Sequence, residues 1–227
     1  DSIAELYASW DVDFIKADDM NSWDGEGNKE PYHTDEIEAL AAGIAKTGRS
    51  MTLSLSPGAA RVANARHLRR HANMWRISFD FWDDWEALEK QFDRCALWAP
   101  YFTTGHWPDA DMLPMGHLSL GGRPHGPDRM SRLTHDEQVT MMTLWCVARS
   151  PLMMGGDLLT SPGQTIALLQ NREVLAVNQN STDNRQVYRT DSTACWIATD
   201  PNSKDRYVAL FNLGDSAAEV SFRFEDE

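Results

Sequence analysis

The segment Asp11–Met20, reading Asp-Val-Asp-Phe-Ile-Lys-Ala-Asp-Asp-Met, constrains the fold more than any other stretch. Val12, Phe14 and Ile15 form an apolar run with the length and residue types of a buried strand. The run ends abruptly in Lys16, Asp18 and Asp19. A buried strand charged only at its C-terminal end is the pattern of a parallel sheet in an α/β barrel or doubly wound fold. Reactive side chains in those folds sit where the strand meets its following loop. Lys16 and Asp18 stand two apart, so on a strand they share one face, and the ammonium favours an ionised Asp18. A structural ion pair closing a strand would leave the same trace.

The pattern recurs down the chain. Ser2–Trp10 has the helical spacing of Ile3, Leu6, Tyr7 and Trp10, and leads into the Asp11–Met20 strand. Asn21–His33 is a polar loop with Trp23, and its place after a charged strand end makes it a candidate substrate loop. Thr34 can cap the next helix, which Gly48 ends. Met51–Leu55 is a second strand, closed by Ser56-Pro57-Gly58. Ala59–Asn73 reads as a basic, solvated helix. Trp75–Phe79 is a third strand ending at Asp80, followed by the amphipathic pattern Trp82, Trp85, Leu88, Phe92, Cys95. Tyr101–Trp107 is a weak fourth strand running into Pro108-Asp109-Ala110-Asp111, and Pro151–Met154 a short fifth. Gly116–Arg132 reads as a long loop, and Thr134 with Glu137 as a capping box. After Val177 the texture changes to short strands at Gln186–Tyr188, Ala194–Ala198, Tyr207–Asn212 and Glu219–Phe224, divided by turn residues, which reads as antiparallel β.

Composition narrows the partners. The 227 residues carry a net charge of -13, which argues against nucleic acid or an anionic membrane surface. No apolar run has membrane-spanning length. Cys95, Cys146 and Cys195 are odd in number and widely spaced, without a disulfide framework or zinc spacing, and Cys95 and Cys146, which fall inside amphipathic helical patterns, read as small core residues. Histidines His33, His106, His117 and His125 are scattered, no His-x-x-x-His helix pair is read, and no catalytic metal or cofactor is expected. The chain opens at Asp1 without a methionine, so its true N-terminus is expected upstream.

Acids end alternate strands: Asp18 on the first and Asp80 on the third, with Asp109 and Asp111 after the fourth. In a barrel, alternate strands point their side chains across one opening. Two carboxylates facing each other there are what retaining glycoside hydrolysis needs, at a separation of about 5–5.5 Å. Asp18 beside Lys16 suits a nucleophile. Asp80, flanked by Phe79, Phe81 and Trp82, suits a desolvated acid. Arg76 either binds substrate hydroxyls or orients that acid. Asp83 and Asp84 read as stabilising a helix start. Asp109-x-Asp111 also resembles the metal-binding pair of nucleotide-sugar transferases, but no phosphate-cradling glycine loop accompanies it. Its acids therefore read as structural.

The ordered set Lys16-Ala17-Asp18, Ser54-Leu55, Trp75-Arg76-x-x-x-Asp80-x-x-Asp83-x-Trp85, Trp107-Pro108-Asp109-Ala110-Asp111-Met112-Leu113, Leu144-Trp145 to Ser150-Pro151-Leu152, Gly156-Asp157-Leu158 and Asn171–Gln179 resembles glycoside hydrolase family 27, the melibiase or α-galactosidase group. The resemblance implies a (β/α)₈ TIM barrel, of which residues 1–177 would be about the last five β/α units, then a truncated antiparallel β domain from 178 to 227. It implies Asp18 as nucleophile and Asp80 as acid/base, with Lys16, Arg76, Ser56, Asp19 and Trp23 as substrate-binding residues. The substrate would be an oligosaccharide or glycoside ending in an α-galactoside-like sugar, and the compartment secreted, periplasmic or lysosomal in type. Where well-known α-galactosidases carry Glu-Trp, this chain has Ser56-Pro57-Gly58-Ala59, which leaves the sugar open. A non-catalytic carbohydrate-binding barrel and a metal-dependent glycosyltransferase are the competing readings.

Overall fold

A computed structural model describes residues 2–20, 32–56, 58–122 and 126–224. The chain divides into two compact units, Asp1–Asp80 with Tyr101–Asp111, and Phe81–Pro100 with Met112–Glu227.

The first unit holds α1 (Ser2–Ser9), β1 (Phe14–Ala17), α2 (Thr34–Thr47), β2 (Thr52–Leu55), α3 (Ala65–His71), β3 (Met74–Arg76) and β4 (Trp107–Asp109). The four strands form one parallel sheet in chain order. Strand register puts Lys16 beside Ser54, Ser54 beside Met74, and Met74 beside Trp107. The next row is Ala17, Leu55, Trp75 and Pro108. Paired residues share a face and successive residues alternate, so the first row lies on one face and the second on the other. Leu53, Leu55, Trp75, Ile37 and Leu68 are buried to 2% exposure or less, forming this unit's core. Each such side chain stabilises the fold by about 1.5–3 kcal/mol through area removed from water. Gly48 closes α2 in the left-handed region (φ 70°), its N–H donating to the Ala45 carbonyl. The cap at the other end differs from expectation. His33 is the N-cap and makes no side-chain capping bond, and Thr34 is already helical.

The second unit contains α4 (Trp85–Trp98), β5 (His117–Leu118), β6 (Arg129–Met130), α5 (His135–Val147), α6 (Gly163–Leu169), α7 (Arg172–Asn180), β7 (Thr182–Arg189), β8 (Thr193–Thr199) and β9 (Arg206–Asn212). The last three strands form an antiparallel sheet with β8 central. Alternation fails on β8 because it is buried from Ala194 to Thr199. Phe92 of α4 meets Phe211 of β9 edge-on at 4.9 Å, with the Arg189 guanidinium over its ring. Thr134 and Glu137 form the expected reciprocal capping box on α5. All three cysteines are buried and outside any disulfide, and burial pushes the Cys146 thiol up to about 12.

Four expected strands are revised, the third because β3 ends already at Arg76 and not at Phe79. The fourth is β4, beginning only at Trp107, because Tyr101 sits in a 3-10 turn. Pro151–Met154 makes only an isolated parallel bridge between Leu113 and Met154. Among the described residues Glu219–Phe224 forms no strand. The long Gly116–Arg132 segment, expected as loop, instead contains the β5–β6 pair. Among the described residues no helix is long and apolar enough to cross a membrane.

Candidate active site

The C-terminal edge of the parallel sheet gathers most of the expected site. Extending the register one residue beyond Ala17, Leu55 and Trp75 places Asp18, Ser56 and Arg76 in a row, and Arg76 pairs directly with Asp109. Lys16, two before Asp18, shares their face. The first residues after β1, up to Met20, are tied to the end of β2 by two backbone bonds. Ser56 N–H donates to the Ala17 carbonyl at 2.8 Å, and Met20 N–H donates to the Ser56 carbonyl at 3.3 Å. Between these bonds Asp18 stands exposed, and Asp19 takes a left-handed φ of 57°. Ser56 is buried, so its contribution is backbone clamping as well as a hydroxyl at the row's centre. Trp23 lies outside the described residues.

Arg76 is the electrostatic centre. Its side chain is 1% exposed, and Nη2 lies 2.9 Å from Asp111 Oδ2 and 3.4 Å from Asp80 Oδ1. A buried guanidinium needs such partners, because an unpaired buried charge costs several kcal/mol. Arg76 therefore reaches Asp80, as an orienting role requires. β3 ends at Arg76, so Asp80 stands four residues past it in a loop and not at the strand end. Nor do the aromatic flanks bury it: the Asp80 side chain is 65% exposed. Phe81 is instead packed against Trp145, with ring centroids 5.1 Å apart.

The carboxyl that burial does perturb is Asp109. Desolvation raises it to about 6, against the opposing pull of the Asp111 N–H, Arg76 and Lys16. Asp109 Oδ1 accepts the Asp111 backbone N–H at 2.9 Å, and Asp111 itself has φ 82°. The Asp-x-Asp pair is thus engaged internally, and Arg76 beside Asp111 opposes a second cation there. The signal for Asp109 was its place in the strand row, which only the register reveals.

Asp109 gives a measurable consequence. Its proton is held more tightly in the folded state than at the ordinary value of 3.8, so the stabilisation is fully present below about pH 4 and lost as pH rises through about 6. A gap of that size corresponds to roughly 3 kcal/mol. Asp109→Asn keeps the acceptor for Asp111 but cannot ionise. The variant should melt near wild type at pH 4 and above it at pH 8. Melting curves that stay parallel across that range would refute the assignment.

The acids expected at the α4 start have separate tasks. Asp84 caps the helix, accepting the Ala87 N–H at 2.9 Å. Asp83 is buried and accepts from Arg129 Nη2 and the Arg132 N–H, both at 2.7 Å, tying down the segment after β6. Of the histidines, His33 lies 3.5 Å from Glu36, His106 Nδ1 bonds the Ala72 carbonyl, and His117 bridges Thr160 and Asp128. His125 lies outside the described residues. The reading that no His-x-x-x-His pair exists is corrected: His67 and His71 form one on α3.

A parallel sheet with helical crossovers and a row of charged side chains at its strand ends defines a TIM-barrel-like α/β fragment. The chain belongs to the melibiase family, glycoside hydrolase family 27: the family profile described as alpha galactosidase A matches residues 1–180. A GH27 β-L-arabinopyranosidase from Geobacillus stearothermophilus superposes with a TM-score of 0.90 at 45% identity, over 99% of this chain and 51% of that one. Alpha-galactosidase 2 of Arabidopsis thaliana is 29% identical over 226 residues, 98% of this chain and 52% of the relative. Alpha-N-acetylgalactosaminidase of Mus musculus is 30% identical over 186 residues, 78% of this chain and 40% of the relative. The chain thus spans about half the length of these relatives.

Proposed function

We propose that the protein carrying this chain is a retaining glycoside hydrolase that removes terminal sugars of galactose-like ring configuration from oligosaccharides or glycosides. The carrying observation is the row Asp18–Ser56–Arg76–Asp109, with Lys16 beside Asp18 and Asp80 held by Arg76. Asp18 attacks the anomeric carbon and Asp80 protonates the departing oxygen. Asp80 then takes a proton from the water that releases the sugar. Arg76, buried and fixed by Asp111, orients Asp80. Residues 1–177 are read as the C-terminal portion of the barrel and 178–227 as the start of the β domain.

The relatives' names suggest two leaving sugars. An α-D-galactopyranoside and a β-L-arabinopyranoside share hydroxyl and anomeric geometry, and differ by the hydroxymethyl group on the ring. The similarity to the Geobacillus β-L-arabinopyranosidase favours testing both. Aryl glycosides of each should be assayed with the protein at its full native length, following the first-formed anomer by NMR. Release with retained configuration is the expected result. An inverted first product would overturn the double displacement. Binding without turnover of either would instead favour the carbohydrate-binding reading.

A further inference from the structure

Away from that row, α2 and α3 bring together three side chains that it does not use. We propose that Glu38, His67 and His71 form a zinc site joining α2 to α3, with Tyr32 orienting His67. His67 and His71 lie one turn apart on α3, so they project from one helix face, and their rings are 4.6 Å apart. Both aim Nε2 at one atom: Glu38 Oε1 lies 3.3 Å from His67 Nε2 and 4.0 Å from His71 Nε2. All three ligand atoms fall within 4.8 Å of one another. Tetrahedral zinc with bonds of about 2.0–2.1 Å requires ligand atoms roughly 3.3 Å apart. One edge already has that length, and the others close with small side-chain rotations.

The surroundings are those of a first coordination shell with outer support. His67 Nδ1 lies 2.6 Å from the Tyr32 hydroxyl. With zinc on Nε2, Nδ1 carries the proton and donates it to the phenol oxygen, the arrangement that fixes a ligating imidazole. Each histidine side chain is 21% exposed and Glu38 is 52% exposed, so the histidines are shielded while the carboxylate side admits the ion. Two imidazoles and one carboxylate leave a fourth position for water. Two nitrogen donors select zinc-like metals over magnesium or calcium. A simple ion pair between His67 and Glu38 does not account for the second imidazole aimed at the same oxygen. Arg66, Arg69 and Arg70 on the same helix oppose a dication, so the site is expected to bind reversibly. Its effect is on stability, through preferential binding to the folded state, and it stands independently of the proposed hydrolase activity.

The test uses the protein at full native length, stripped with EDTA and dialysed, then titrated with zinc chloride by calorimetry. Wild type should bind one equivalent that the His67→Ala/His71→Ala double variant lacks, and zinc should raise the melting temperature of wild type alone. Tyr32→Phe keeps all three ligands yet should weaken binding about tenfold. Cobalt substituted into wild type should give the visible absorption of a tetrahedral site, and Glu38→Gln should diminish it. Circular dichroism of the apo variants guards against misfolding. Equal zinc binding by wild type and the double variant would overturn the proposal, as would wild type that takes up no zinc.

Discussion

Replacing Asp18 by alanine in the full-length protein should lower glycosidase turnover by at least about 10³-fold, because the proposed double displacement then loses its attacking carboxylate. Azide should restore part of the rate and yield a glycosyl azide of inverted configuration, because the small anion attacks from the face the carboxylate vacated. The local structure makes this a clean experiment. Asp18 is exposed, and the described residues beside it are held by backbone bonds through Ser56. Removing the side chain therefore leaves the neighbouring backbone anchored. Product analysis by NMR and an azide titration of the rate provide the readout. Near-normal turnover by Asp18→Ala would remove the residue from the nucleophile role.

Asp80→Asn should produce a selective defect and not a uniform one. The variant keeps an oxygen that Arg76 can hold at the observed 3.4 Å, so orientation survives while proton donation is lost. Substrates with poor leaving groups should lose most, because they need protonation. Aryl glycosides with good leaving groups should keep a comparatively fast first step. The glycosyl-enzyme should then accumulate, because water is no longer activated. The exposed position of Asp80 adds a point: its side chain is not buried by its aromatic neighbours, so the proposed acid role relies on the bound sugar to cover the carboxyl. Glycosylation rates across a series of leaving groups decide the matter. An equal loss across the series, with no accumulating intermediate, would move the acid role to Asp109 or Asp111. Asp109 is the stronger of those two, since burial already raises its carboxyl to about 6.

The sequence by itself determined most of the kinds of element and the charged end of the first strand. An apolar run closed by Lys16 and Asp18 suits a strand that delivers its charged end to a loop, and β1 forms there, but the expected burial does not follow: β1 is the edge strand of its sheet, and Phe14 is 40% exposed. The box of Thr134 and Glu137 was legible because its two bonds lie within four residues. So was the turn to antiparallel structure, where turn residues separate short runs that became β7, β8 and β9. Tertiary structure decided what depends on partners distant in sequence. Register placed Asp109 beside Arg76, and burial there, not the hydrophobicity of near neighbours, raised its carboxyl. Asp83, adjacent to a helix start, went to Arg129 and Arg132, 46 and 49 residues away, because a buried carboxylate must find donors wherever the fold offers them. His67 and His71 were readable as a pair on α3. Glu38 joined them only because α2 packs alongside, a meeting across 29 residues that no local pattern encodes.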